Sequence, residues 1–245
     1  MHRIYIPIEH ISETVIYFPE EQCHRIKKVL RLKPGDILIV FDGQGKEYRV
    51  SLANDTHKEL IGNIESITAI NREAGLRVTL MQGVPKFEKM DYIVQKATEL
   101  GVYRIIPVIT ERTIPQLTIS KMKLRSDRWQ KIAIAAAEQC GRTVIPIISP
   151  ITDFEIGLDE IKSQTMKLLF WEEERTRTLK SVIRTIDEPE SVVVIIGPEG
   201  GLTRGEADSA VKVGAISVSL GSRLLRTETA PITALSIVFY EFSED

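Results

Sequence analysis

The sequence predicts an α/β protein in which a largely parallel sheet, covered on both faces by helices, follows a small β-rich domain. Three observations carry that prediction. The first seventy residues read as short strands and turns with one short helical pattern. After residue 75, strand-like runs alternate with helical patterns, the order that builds a parallel sheet. Finally, residues 197–201 (GPEGG) and 220–230 (LGSRLLRTETA) each follow a strand-like run and open onto a helix. Ligands gather beyond the carboxyl ends of parallel strands, where both loops fall. Two such loops on neighbouring strands make a grip for one small polar ligand.

In chain order, residues 21–30 carry the first helical pattern, and Pro34, Gly35 and Asp36 signal a turn. Residues 37–41 (ILIVF) are a β-branched run, and Asp42-Gly43 turns the chain as a hairpin does. Residues 48–52 alternate like a half-buried strand. Together these suggest a small β-barrel over residues 1–72. The polar break Asn71, Arg72, Glu73, Ala74, Gly75 separates it from a second domain over 73–245.

There, 76–81 reads as a strand. Met90, Ile93, Val94, Ala97 and Leu100 follow helical spacing, with Gly101 as the stop. Residues 104–109 are strand-like, and Trp129, Ile132, Ala133, Ala136, Ala137 and Cys140 form a second apolar helical stripe. Further strands are expected at 144–148, 167–171, 192–196 and 216–220, and a last helix from Ala230 to Phe242. No internal repeat or low-complexity segment interrupts this order.

Composition bounds the function. The 245 residues suit one large domain or two modest ones, and 43% hydrophobic with 27% charged residues is ordinary for a globular protein. No apolar run approaches the roughly 18 residues of a membrane span. The start, MHRIYIP, lacks the basic-then-apolar design of a secretory signal. Two cysteines, Cys23 and Cys140, are too few for a disulfide framework or a zinc site and read as free thiols in a reducing cytosol. A cytoplasmic protein without membrane or metal is expected.

The net charge of −2 does not announce nucleic-acid binding. Local runs nevertheless permit an RNA partner: Arg25, Lys27, Lys28, Arg31 and Lys33, and then Lys121, Lys123, Arg125, Arg128 and Lys131. The plainer reading of either run is a solvated face.

The loops are chemically specific. Gly197, Gly200 and Gly201 let the backbone turn sharply and approach a ligand, and Thr203 with Glu206 has the spacing of a capping box. A helix starting at Thr203 puts free N–H groups beside the loop, suited to an anionic or polar guest. The absence of a following Lys-Ser/Thr removes the nucleoside-triphosphate loop, and no Gly-x-Gly-x-x-Gly supports a dinucleotide. In the second loop Arg226 and Glu228 flank Thr227, and Thr229-Ala230-Pro231 starts a helix. Arg226 offers a planar fork for a phosphate, carboxylate or nucleobase edge; a structural pair with Glu228 or Glu199 is the alternative. Arg142, after Glu138-Gln139-Cys140-Gly141, is either a third polar group of the site or a cation capping a helix end.

These segments resemble the bacterial 16S ribosomal RNA uridine N3-methyltransferases, the RsmE-type branch of the SPOUT class. Arg3-Ile4-Tyr5 and residues 24–43 (HRIKKVLRLKPGDILIVFDG) are similar to that family's PUA-like RNA-binding barrel. Residues 86–101, 129–142, 196–201 and 220–230 are similar to its catalytic domain. The resemblance implies a C-terminal trefoil knot whose loops hold S-adenosylmethionine, and a homodimer acting on 16S rRNA in the small ribosomal subunit. It assigns the cofactor to Ile196, Gly197, Glu199, Gly200, Gly201, Leu220, Leu225, Arg226, Thr229 and Ala230. It implies that Arg226, or else Arg142, stabilises the uracil anion, with Glu138, Glu199 and Glu228 as unranked candidate proton acceptors. Arg3, Arg25, Lys28, Arg31, Lys123 and Arg128 would hold RNA phosphates. Two rivals remain: a non-catalytic RNA-binding assembly factor, and the same chemistry on tRNA or 23S rRNA.

Overall fold

The computed structural model describes residues 1–53, 60–69, 72–86, 88–114, 118–185 and 189–243. Asn71 of the expected boundary and Phe87 of the 86–101 segment lie outside them. The chain forms two compact units, Met1–Glu73 with Ala137–Ile145, and Ala74–Ala136 with Pro146–Asp245.

The first unit is a five-stranded sheet of β1 (Arg3–Tyr5), β2 (Val15–Tyr17), β3 (Ile37–Phe41), β4 (Lys46–Ala53) and β5 (Ile61–Ala69), in the order β1-β3-β4-β5-β2. β1 runs parallel to β3, and the other pairs are antiparallel. Asp42 shapes the β3–β4 turn, its Oδ1 accepting the N–H groups of Gln44 (2.7 Å) and Lys46 (3.2 Å). Ile4, Ile16, Leu38, Val40 and Val50 fill the core. The single helix expected at 21–30 divides into α1 (Glu20–His24) and a π-helical turn over Arg25–Val29. Ile26 is the turn's buried residue, and Leu30 N–H reaches back to Arg25 O at 2.9 Å.

The second unit contains β6 (Arg77–Gly83), α2 (Lys89–Glu99), β7 (Arg104–Ile109), α3 (Ile119–Cys140, whose last turn belongs to the first unit), β8 (Ile147–Ile148), β9 (Thr152–Asp153) and α4 (Phe154–Glu160). It continues with β10 (Met166–Phe170), α5 (Leu179–Ile183), β11 (Ser191–Ile196), α6 (Arg204–Lys212), β12 (Ile216–Val218) and α7 (Thr229–Phe242). Every ladder is parallel, in the order β12-β10-β11-β6-β7-β8, with β9 also on β7. The strand expected at 144–148 shortens to two residues because Pro146 has no N–H to give a ladder; Val144 instead makes an isolated bridge to Gln44 in the first unit.

Strand alternation assigns the two faces. Val192, Val194 and Ile196 of β11 join the core beneath α2, α3, α5 and α7, whereas Val193 and Ile195 join the core beneath α4 and α6. No helix among the described residues is long and apolar enough to cross a membrane.

Candidate active site

The GPEGG loop leaves β11 and ends at α6, where Thr203 caps the helix. Its side chain accepts the Glu206 N–H (3.3 Å) while Glu206 Oε2 accepts the Thr203 N–H (2.8 Å), closing the capping box. Gly201 has φ +71, a conformation that asks for glycine, and the Glu172 carboxylate lies where a Cβ would stand. At the end of β6, Gly83 lets Pro198 in: a Cβ would meet its N at 2.7 Å. The second loop leaves β12 and ends at α7, with Pro231 in the first helical turn.

The strands carrying the two loops are not neighbours, because β10 lies between β11 and β12. A third loop, after β10, therefore enters the site with Trp171, Glu172, Glu173 and Arg175. Sequence reasoning missed it, although an acidic run beyond the carboxyl end of a strand is the signal that finds it. The three loops enclose a cleft of about 670 Å³, within the roughly 300–1,000 Å³ of small-molecule sites. Ile196, Gly197, Glu199, Gly200 and Gly201 line one side, and Leu220, Leu225, Arg226 and Ala230 another. Thr229 opens α7 and is exposed, outside the lining. Two buried polar groups pin the loops from below: Thr227 Oγ1 donates to Gly197 O (3.0 Å), and Gln82 Nε2 reaches the same carbonyl at 3.3 Å.

The cleft's charges differ in how firmly they are held. The Arg226 side chain is 84% exposed, with Glu228 Oε1 4.0 Å away. Lys89, a lining residue absent from the sequence expectations, sits between two carboxylates, its Nζ 3.0 Å from Glu199 Oε1 and 3.4 Å from Glu228 Oε2. Both contacts are ion pairs, the one to Glu199 the shorter. The hydrogen bond to Glu199, with Glu228 behind it, holds the Lys89 ammonium above the usual lysine range. Burial pushes Glu199 up, but Lys89 and the Lys86 N–H, at 3.1 and 3.2 Å from its two oxygens, outweigh it and keep the carboxyl low. One local signal marks Lys89: a lysine at the first position of a helix opposes the helix dipole.

Glu138 and Arg142 belong to the first unit. Glu138 accepts the Tyr5 N–H (3.0 Å) and a bidentate pair from Arg25 (2.9 and 2.7 Å). Arg142 is 5% exposed and holds Glu73, its Nε 3.2 and 3.1 Å from the two oxygens. Arg3 pairs with Glu47, donates to Arg142 O (2.8 Å) and lies 4.5 Å over the Phe41 ring. Within the second unit, Arg128 pairs with Asp91. Lys28, Arg31 and Lys123 are exposed and form no ion pair among the described residues.

A family model described as an RNA methyltransferase domain matches residues 72–239, and one described as an RNA methyltransferase PUA domain matches residues 18–65. The ribosomal RNA small subunit methyltransferase E of Bacillus subtilis is 32% identical over 225 residues, covering 90% of this chain and 88% of that protein. The crystal structure of the ribosomal RNA small subunit methyltransferase E of Neisseria gonorrhoeae, bound to S-adenosyl methionine, matches with a TM-score of 0.87 and 34% identity over 100% of this chain and 99% of that one. A putative methyltransferase of Legionella pneumophila, in complex with its bound cofactor SAM, matches with a TM-score of 0.89 and 35% identity over 99% and 98%. With relatives of this kind at 32–35% identity and both domains matched, the chain belongs to the RNA methyltransferase family, in the group of the ribosomal RNA small subunit methyltransferases E.

Proposed function

We infer that this chain transfers a methyl group from S-adenosylmethionine to N3 of a uridine in the RNA of the small ribosomal subunit. The observation that carries the reading is the cleft at the carboxyl edge of the parallel sheet, built from GPEGG and LRTETA loops in a chain of this family. Its residues fit the cofactor. Ile196, Leu220 and Leu225 offer an apolar wall to an adenine, and Glu172, Glu173 and Glu199 offer carboxylates to a sulfonium and an ammonium. Gly201, at φ +71, turns the loop backbone beside the cleft without a side chain of its own.

When bound, the cofactor supplies an already activated methyl. The protein has to place the nucleophile in line with it and help N3 lose its proton. Arg226, on the cleft wall with its donors turned to solvent, is suited to stabilise the negative charge that spreads onto the uracil oxygens. Arg142 is spent on Glu73, so we assign this role to Arg226 alone. Reaching the base requires it to be unstacked, and exposed Lys28 and Arg31 of the first unit and Lys123 of the second would each grip RNA phosphates. The reading includes a homodimer in the cytoplasm with a C-terminal trefoil knot.

Its test is methyl transfer from labelled S-adenosylmethionine to 30S subunits and to 16S rRNA. Label appearing on either substrate is expected. Folded protein that binds the cofactor yet labels neither would leave only the assembly-factor reading, and label on tRNA or 23S rRNA alone would move the substrate.

A further inference from the structure

Resting on the methyl-transfer reading, we propose that Lys89 is the positioning residue of the cleft, its ammonium bridging Glu199 and Glu228 so that the two cofactor loops keep their spacing and Arg226 stays free for substrate. Lys89 opens α2, an element that carries neither loop. With β10 between β11 and β12, no direct strand ladder fixes the distance between the loops. The Thr227 and Gln82 contacts pin only Gly197, the first residue of the GPEGG loop. Farther along, Lys89 supplies the link, 3.0 Å to Glu199 and 3.4 Å to Glu228.

The charge arithmetic explains why a cation is needed there. Glu228 Oε2 is buried, and the Lys89 ammonium 3.4 Å away is its compensating charge. Among the described residues, the other cation paired with this carboxylate is Arg226, 4.0 Å from Oε1. With a neutral side chain at position 89, Glu228 would recruit Arg226 and draw it from the cleft. Glu199 would lose its partner at the same time, keeping the Lys86 N–H. The unfavourable placement of a lysine at a helix start is consistent with a residue kept for its charge.

The test compares Lys89→Met, Lys89→Arg and the double variant Lys89→Met with Glu228→Gln against the parent. It reads cofactor affinity by calorimetry, kcat and KM on 30S subunits, and melting temperature. Lys89→Met should weaken S-adenosylmethionine binding by about tenfold to a hundredfold, the range for losing a charged hydrogen bond, and lower kcat as well. Lys89→Arg should recover most of the affinity, because a guanidinium can face both carboxylates. Adding Glu228→Gln should restore part of the kcat lost in Lys89→Met, since an amide no longer recruits Arg226; a purely structural lysine predicts no such rescue. Parent-like affinity and kcat in Lys89→Met, or an arginine variant as impaired as the methionine variant, overturns the proposal. If Lys89→Met melts too low to measure, Lys89→Arg and Glu228→Gln decide: an unrescued arginine variant or an unaltered Glu228→Gln rejects the bridge. A parent chain that binds no S-adenosylmethionine instead sinks the reading beneath it.

Discussion

Arg142 and Arg226 each stand just beyond an apolar element and a glycine, yet their surroundings are opposite. Arg142, in the first unit, is 5% exposed and bound to Glu73, with its own carbonyl taken by Arg3. Arg226, in the second, has an 84% exposed side chain and one carboxylate 4.0 Å away. A buried guanidinium must be paired or it costs several kcal/mol, so Arg142 holds structure together. An exposed pair at that distance adds almost nothing to stability, so stability does not explain Arg226. The donors it keeps open are what an incoming charge can use.

The sharpest way to break this contrast is to remove each arginine. Arg142→Ala should lower stability by about 3–5 kcal/mol, the cost of breaking a buried pair, and drop the melting temperature by roughly 2–4 °C per kcal/mol. Arg226→Ala should melt within a few degrees of the parent, while kcat falls by about a hundredfold to a thousandfold. Calorimetric melting with single-turnover kinetics reads both; interchanged results would dissolve the distinction. Next in size is Gly83→Ala. Its Cβ would sit 2.7 Å from the Pro198 backbone, and overpacking of this kind costs about 1–3 kcal/mol. Because the strain falls on the GPEGG loop, cofactor affinity should drop by an order of magnitude or so, where a purely global effect would leave binding intact below the melting point.

Lys123→Glu should then weaken RNA affinity and reduce the salt slope by about one phosphate contact. An unchanged slope would return α3 to a solvated face. Thr203→Ala should cost about 1 kcal/mol through the lost cap, with cofactor affinity nearly unchanged. The smallest effect concerns the loop after β10. Glu174 is lowered to about 2 by the Thr176 hydroxyl and by the Arg177 and Thr176 N–H groups. A depressed carboxyl contributes stability that is present above its ordinary value of 4.5 and lost as pH falls through about 2. An NMR titration of Glu174 should find its midpoint near 2; one near 4.5 means the network is not formed in solution.

Legibility in the sequence followed distance along the chain. The capping box at Thr203, the start of α7 and the β-branched strands were readable because periodicity and caps act within a few residues. Strand order is not a local property, so nothing in the periodicity placed β10 between the strands bearing the two loops, and the loop from Trp171 to Arg175 went unread. The family resemblance implies Arg3, Arg25 and Arg128 as phosphate contacts, while their partners Glu47, Glu138 and Asp91 lie 37 to 113 residues away in the chain. Lys89 was hidden for the same reason, with Glu199 more than a hundred residues downstream. Its position against a helix dipole was the one local irregularity that marked it.

Methyl transfer to N3 of a uridine, as proposed for the cleft, leaves a distinct nucleoside behind. After reaction of the parent chain with labelled S-adenosylmethionine and 30S subunits, the rRNA is digested to nucleosides, and the labelled product is compared by chromatography and mass spectrometry with authentic methylated uridines. The label is expected to elute as 3-methyluridine. Label eluting as a ribose-methylated or 5-methyl nucleoside would contradict it.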